Sequence, residues 1–176
     1  MGYGIYILSH STEGVEDFIV TISQLLKEYV ELTDVCFSFI HIGEFKSMVD
    51  LPKVNAGIRS ACNCEEVPDI HCVSIDSDGD HDCIAKLCHE MIKNGSSDHA
   101  VFVDLVSMPV LMTGICNRLF EMVKSDGSDS VSRMIFYTYK KYVSGDGSRF
   151  NFSANGDDNT AWLGKRLLRV LGVTEG

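Results

Sequence analysis

Two places in the chain hold residues whose types and spacing could do chemistry. His10 follows, after Ser9, the apolar run Gly4 to Leu8 (GIYIL) and stands just before an amphipathic stretch. That places an imidazole beside the free backbone N–H groups and positive end of a helix dipole. Such a setting suits an anion, including a phosphoryl group carried on the ring. Ser9, Ser11 and Thr12 add hydroxyl donors for phosphate oxygens. A histidine so placed can act as nucleophile or proton carrier; the plainer alternative is a loop histidine that only caps the helix. Asp104 lies near the end of a second apolar run, Ala100 to Leu105 (AVFVDL). A carboxylate there is costly unless paired. Its natural partner is an imidazole at a neighbouring strand end, which it would orient and whose charge it would balance; the alternative is a turn or capping aspartate. The pairing of His10 with Asp104 requires their strands to be adjacent or nearly so.

Other clusters are less promising. Asp76, Asp78, Asp80 and Asp82 alternate in DSDGDHD. Gly79 falls too early for a calcium loop, and Leu87 occupies the place of its bidentate glutamate. Acidic residues at a helix start are favourable in their own right. Between Cys62 and His89 stand five cysteines and three histidines, yet only Cys62-x-Cys64 approaches the spacing of paired metal ligands. Core packing accounts for most of them, and no metal is expected. The chain has no GxGxxG, no GxxxxGK[ST] and no GxSxG, so ordinary dinucleotide, nucleoside-triphosphate and hydrolase readings lose their usual support. No cofactor is expected.

Five β-then-α units would position these residues. Gly4–Leu8, Val35–Ile42, Ile70–Ile75, Ala100–Leu105 and Met134–Val143 read as strands, the first as one buried on both faces and the aromatic-rich last as a candidate edge. Val15, Phe18, Ile19, Ile22, Leu25, Leu26 and Tyr29 recur at helical spacing, with Ser11 or Thr12 as cap. Lys53–Cys62 is a helix opened by Pro52. A third helix follows the acidic turn and stops at Asn94-Gly95; a fourth runs from Pro109 to about Lys124. Ser125 to Ser132 and Ser144 to Asp158 read as loops, and Thr160 to Leu171 as a last amphipathic helix. The implied fold class is α/β: a doubly wound, mostly parallel five-stranded sheet with helices on both faces, in a single domain over residues 1–176. Ligands of such sheets bind beyond the strand C-termini, where the strand order reverses.

The formal charge of −10 argues against nucleic acid or an anionic membrane as partner. Lys140, Lys141, Lys165, Arg166 and Arg169 are the nearest thing to a basic patch, and read as solvated faces. No apolar run approaches a membrane span, and Met1 to Ser9 lacks the basic start of a signal peptide. Seven cysteines without such a signal suit free thiols in a cytoplasmic protein.

Gly2 to Leu32, with YGIYILSHS before its amphipathic helix, resembles the start of the phosphotransfer subunit of dihydroxyacetone kinase. More broadly it resembles the mannose-type enzyme IIA domains of the sugar phosphotransferase system. Asp76 to Leu119, with DHAVFVDLVSMPVLMTGICNRL, is similar to a second stretch of that family. The resemblance implies a phosphoryl carrier: His10 accepts the group, Asp104 supports the ring, and Ser107 lies in the small-residue loop. The implied partners are a phosphocarrier protein and a downstream phosphoryl acceptor, with a second copy of the chain a further candidate. Residues 34–69 would be an insertion relative to that family. ILSHSTEGVEDFI also resembles the opening of a TIR domain, which needs no insertion and would imply a signalling or NAD-cleaving module with Glu90 as the candidate acid. A non-catalytic α/β interaction domain is the third reading.

Overall fold

The structure is a computed structural model. It describes residues 3–154 apart from residues 13, 28–29, 44–48, 77–79, 95–97, 106–107, 128–133 and 145–146, and for 134–154 it describes the backbone alone. The elements are β1 (Tyr3–Ser9), α1 (Val15–Leu26), a short 3₁₀ turn (Leu32–Asp34), β2 (Val35–Ile42), α2 (Leu51–Cys62) and β3 (Asp69–Ile75). They continue with α3 (His81–Lys93), β4 (Asp98–Asp104), α4 (Pro109–Ser125), β5 (Met134–Ser144) and β6 (Gly147–Ala154). One sheet runs β3-β2-β1-β4-β5-β6. All pairings are parallel except β5 with β6, which is antiparallel.

The α/β class follows the pattern in the sequence, but the sheet has six strands instead of five. Gly147–Ala154 (GSRFNFSA), expected within a loop, pairs with β5 as an edge strand. An edge strand tolerates the polar and glycine residues that a central one does not. Residues 35–75 form an ordinary β2-α2-β3 unit within the sheet. The expected last helix, Thr160 to Leu171, lies outside the described residues.

Strand periodicity divides the core into two layers. Ile5, Ile7, Phe37, Phe39, Ala100 and Phe102 face α1 and α2, meeting Phe18, Ile19, Ile22, Val54 and Ile58. Tyr6, Leu8, Ile40, Ile42, Val101 and Val103 face α3 and α4, meeting Ile84, Cys88, Met112, Ile115 and Leu119. Both faces of the central strands are therefore covered, which is why their sequences run apolar without alternation. The Phe18 and Phe102 rings meet edge-on at 5.1 Å between centroids, the favoured aromatic geometry. No helix among the described residues is long and apolar enough to cross a membrane.

The helix starts differ in how they are closed. Asp50 caps α2 by accepting the Lys53 N–H at 3.1 Å, and Asp80 caps α3 by accepting the Cys83 N–H at 2.8 Å. α1 is capped by neither Ser11 nor Thr12. Its N-cap is Gly14, at φ 79°, with no side-chain hydrogen bond. The Thr12 carbonyl accepts the Val15 N–H at 3.3 Å.

α3 and α4 approach closely where Gly114 faces His81: a Cβ at position 114 would overlap the imidazole. Gly114→Ala should therefore destabilise the protein by about 1–3 kcal/mol through overpacking, against its helix-propensity gain. Urea denaturation checks this, with His81→Ala expected to restore most of the loss.

Candidate functional site

β1 lies between β2 and β4, and the strand order reverses beside it. The chain steps outward from β1 through β2 to β3, then returns to β4 on the other flank. The C-terminal rim of β1 is thus the topological switch point, where open α/β sheets keep their ligand crevices. Both residues singled out for chemistry stand on this rim, because Leu8 pairs with Val103 and Ser9 with His41 across the two flanks of β1.

Each of them has taken a different partner from the one expected. Ser9 is fully buried; its hydroxyl donates to Asp104 Oδ2 at 2.8 Å and accepts the Ser11 N–H at 3.0 Å. It closes the β1–β4 flank and holds the turn that follows. Its donor is therefore committed to the protein and is not available as the phosphate donor the sequence suggested. The half-buried His10 turns to the other flank, where its Nδ1 lies 2.7 Å from the Ile42 carbonyl oxygen. Strands are spaced about 4.8 Å apart, so the neighbours on either side of β1 lie roughly 10 Å from one another. The contact drawn from the sequence, carboxylate to imidazole, is replaced by two: carboxylate to serine, imidazole to backbone carbonyl.

The second of these contacts has a chemical consequence. A carbonyl can only accept, so Nδ1 must carry the proton. The neutral His10 ring then holds its lone pair on Nε2. The ring stacks on His41, with centroids 6.2 Å apart and planes 18° from parallel. His41, 7% exposed, donates from Nε2 to the His10 carbonyl at 3.1 Å. Gly43, at φ 138°, lies close to both rings: an added Cβ would come within 3.1 Å of the His10 ring and 3.6 Å of His41. Gly43 is itself pinned to β3: its N–H donates to the Ile75 carbonyl at 2.7 Å and its carbonyl accepts the Ser74 hydroxyl at 3.0 Å. The ends of three strands thus fix one imidazole.

Burial pushes the His41 pKa below its ordinary 6.5. The bond to the His10 carbonyl opposes this, and the adjacent His10 ring adds to it.

Ser11 and Thr12 are half-buried in the β1–α1 connection, and Ser107 lies outside the described residues. Glu16 and Asp17 occupy the first turn of α1 and offset part of its positive end. Glu16 also accepts the Asp50 N–H at 3.2 Å and pairs with Lys53 at 3.3 Å. Across the rim, Met108 precedes α4 in the left-handed conformation at φ 53°, unusual for a residue with a side chain. Its side chain and that of Val110 stand exposed there, Val110 at 82%. Sequence reasoning missed His41, Gly43 and Met108. An apolar strand ending in His-Ile-Gly was the only available signal for the first two.

Several of the remaining candidates stand among the described residues, while 77–79 of the acidic run lie outside them. Among the described residues no group of three or more His, Cys, Asp or Glu side chains could hold a metal ion. Asp82 pairs with Arg118 at 2.5 Å, tying α3 to α4. Cys88 is buried, which pushes its thiol up to about 12. Glu90 is exposed in the last turn of α3. α3 starts at the rim and runs back, so Glu90 lies at the opposite end of the sheet from His10.

No family model matches the chain, and no curated protein does. Among solved structures it is similar to Enterococcus italicus Csm6 bound to cyclic hexa-2'-fluoro-hexa-dAMP, at 15% identity and a TM-score of 0.43. That alignment covers 98% of this chain and 38% of the other, so the chain spans well under half of that protein.

Two outcomes follow from the geometry. Because the His41 pKa is lower in the native state than the 6.5 of the unfolded chain, the stability it contributes should be intact above that pH and fall as pH drops below it. Thermal melts between about pH 7.5 and 5.5 should show this slope, and His41→Gln should flatten it. Gly43→Ala should cost about 1–3 kcal/mol, since position 43 requires a positive φ and its Cβ displaces the imidazole. Histidine ring resonances should report the movement of His10.

Proposed function

We propose that the chain is a binding domain for a phosphate-bearing ligand of the nucleotide class, seated at the rim of β1 against His10. The observation that carries this reading is the reversal of strand order directly beside β1, with an imidazole fixed there by three strand ends. The net charge of −10 works against any anion at long range. Affinity must therefore come from local donors: His10 Nε2 when protonated, and the backbone N–H groups entering α1. The ligand differs in kind from the dinucleotides that glycine-rich turns bind. The β1–α1 turn reads SHSTEG, and β2 ends in His41 and Ile42, followed by Gly43, where an acidic residue would engage a ribose. Exposed Met108 and Val110 on the facing rim suit an apolar or aromatic portion of such a molecule.

Calorimetric titration with mononucleotides, dinucleotides and linear and cyclic oligonucleotides tests this. At least one class should bind, and His10→Ala should weaken it by about tenfold or more, equivalent to roughly 1.4 kcal/mol. Absence of binding by every class, or binding unchanged in His10→Ala, would overturn the reading.

A second reading, the phosphoryl carrier, is favoured by one specific observation: a carbonyl on Nδ1 leaves the Nε2 lone pair as the nucleophile. In that reaction Nε2 attacks the phosphorus of a donor's phosphohistidine, and the donor nitrogen leaves with the bonding pair. Incubation with phosphoenolpyruvate and the general phosphotransferase proteins should then add one phosphoryl group, and none to His10→Ala. Asp104 would support the rim through Ser9 instead of through the ring.

A further inference from the structure

The end of α2 brings two sulfurs together, away from the rim. All seven cysteines are free thiols. Cys62 is the last residue of α2 and only 4% exposed. Asn63 follows as C-cap in the left-handed conformation, φ 52° and ψ 45°, and the Cys64 N–H turns back to the Arg59 carbonyl at 3.2 Å. A residue with helical dihedrals of either hand sets the Cα atoms that flank it about 5.4 Å apart. That falls inside the roughly 4.4–6.8 Å that a disulfide spans. Both side chains belong to the core layer under α1 and α2. The Cys64 thiol is near enough to act electrostatically on Cys62, and half-buried Cys64 donates to the Glu66 carbonyl at 3.3 Å. The ammonium of Lys27 donates to the Cys62 carbonyl at 3.1 Å.

We propose that Cys62 and Cys64 form a reversible dithiol–disulfide site, oxidised by small-molecule disulfides of the glutathione class. The accessible Cys64 thiolate attacks the small disulfide, forms a mixed disulfide and releases one thiolate. Cys62 then loses its proton, attacks the Cys64 sulfur and releases the second. One small disulfide is reduced to two thiols, two protein thiols are oxidised, and their two protons go to the released thiolates. The order of events follows from access, since Cys62 is covered while Cys64 reaches the surface. Burial, the strongest influence, raises the Cys62 pKa, the Cys64 thiol raises it further, and the charge on Lys27 works to lower it. Lys27 therefore assists the second step.

The test uses the full chain carrying Cys72→Ser and Cys83→Ser, which removes the other cysteines of the same tryptic peptide. The protein is equilibrated across a series of reduced-to-oxidised glutathione ratios, quenched in acid, alkylated and mapped by mass spectrometry. The expected result is a peptide about 2 Da lighter that resists alkylation at both Cys62 and Cys64, and reverts on reduction. Cys64→Ser should abolish it, and Lys27→Met should raise the glutathione adduct on Cys64 by about threefold or more at early times. Full alkylation of both thiols at every ratio, or an adduct that never resolves, would overturn the proposal.

Discussion

The structure turns on how the end of β1 divides its last two side chains between its neighbours. Ser9 reaches β4 and binds Asp104; His10 reaches β2 and binds the Ile42 carbonyl. These bonds close the rim on both flanks and orient one imidazole where the strand order reverses. Remove the first, and the half-buried Asp104 carboxylate loses one of its partners, the Ser9 hydroxyl. Remove the second, and the ring loses the contact that determines which nitrogen is free.

The rest of the fold serves that division. Two apolar layers hold β1 at the centre of the sheet, so its end cannot shift without disturbing Phe18, Phe102 and Leu8. Gly43 makes room for the ring, and Ser74 and Ile75 hold Gly43 in place. Stiffness at the rim is thus inherited from contacts deeper in the sheet, as is usual where a binding loop sits on a rigid scaffold.

Much of this scaffold was legible in the residues. Continuous apolar runs mark strands covered on both faces, and β1, β2 and β4 carry them, whereas the edge strand β3 (DIHCVSI) is largely exposed. The spacing of Val15, Phe18, Ile19 and Ile22 marks α1 because a helix must present one stripe to its sheet. β6 was not legible. Its glycine and polar residues look like a loop when read locally, and only pairing with β5 makes them a strand. The strand-end positions of His10 and Asp104 were legible, and their wiring was not. Their meeting on one rim and their choice of partners depend on strand order and ring rotation, which no local pattern encodes. The special backbone of Gly43 depends likewise on a contact with β3, some thirty positions along the chain.

The account rests on the proton of one ring, and nitrogen-15 NMR of the histidine side chains reads it directly. At a pH where His10 is neutral, the bond to Ile42 requires the Nδ1–H tautomer, with Nε2 showing the shift of an unprotonated ring nitrogen. Finding the proton on Nε2 instead would mean that the imidazole does not engage the β2 carbonyl, and the proposed rim site would lose its organising contact.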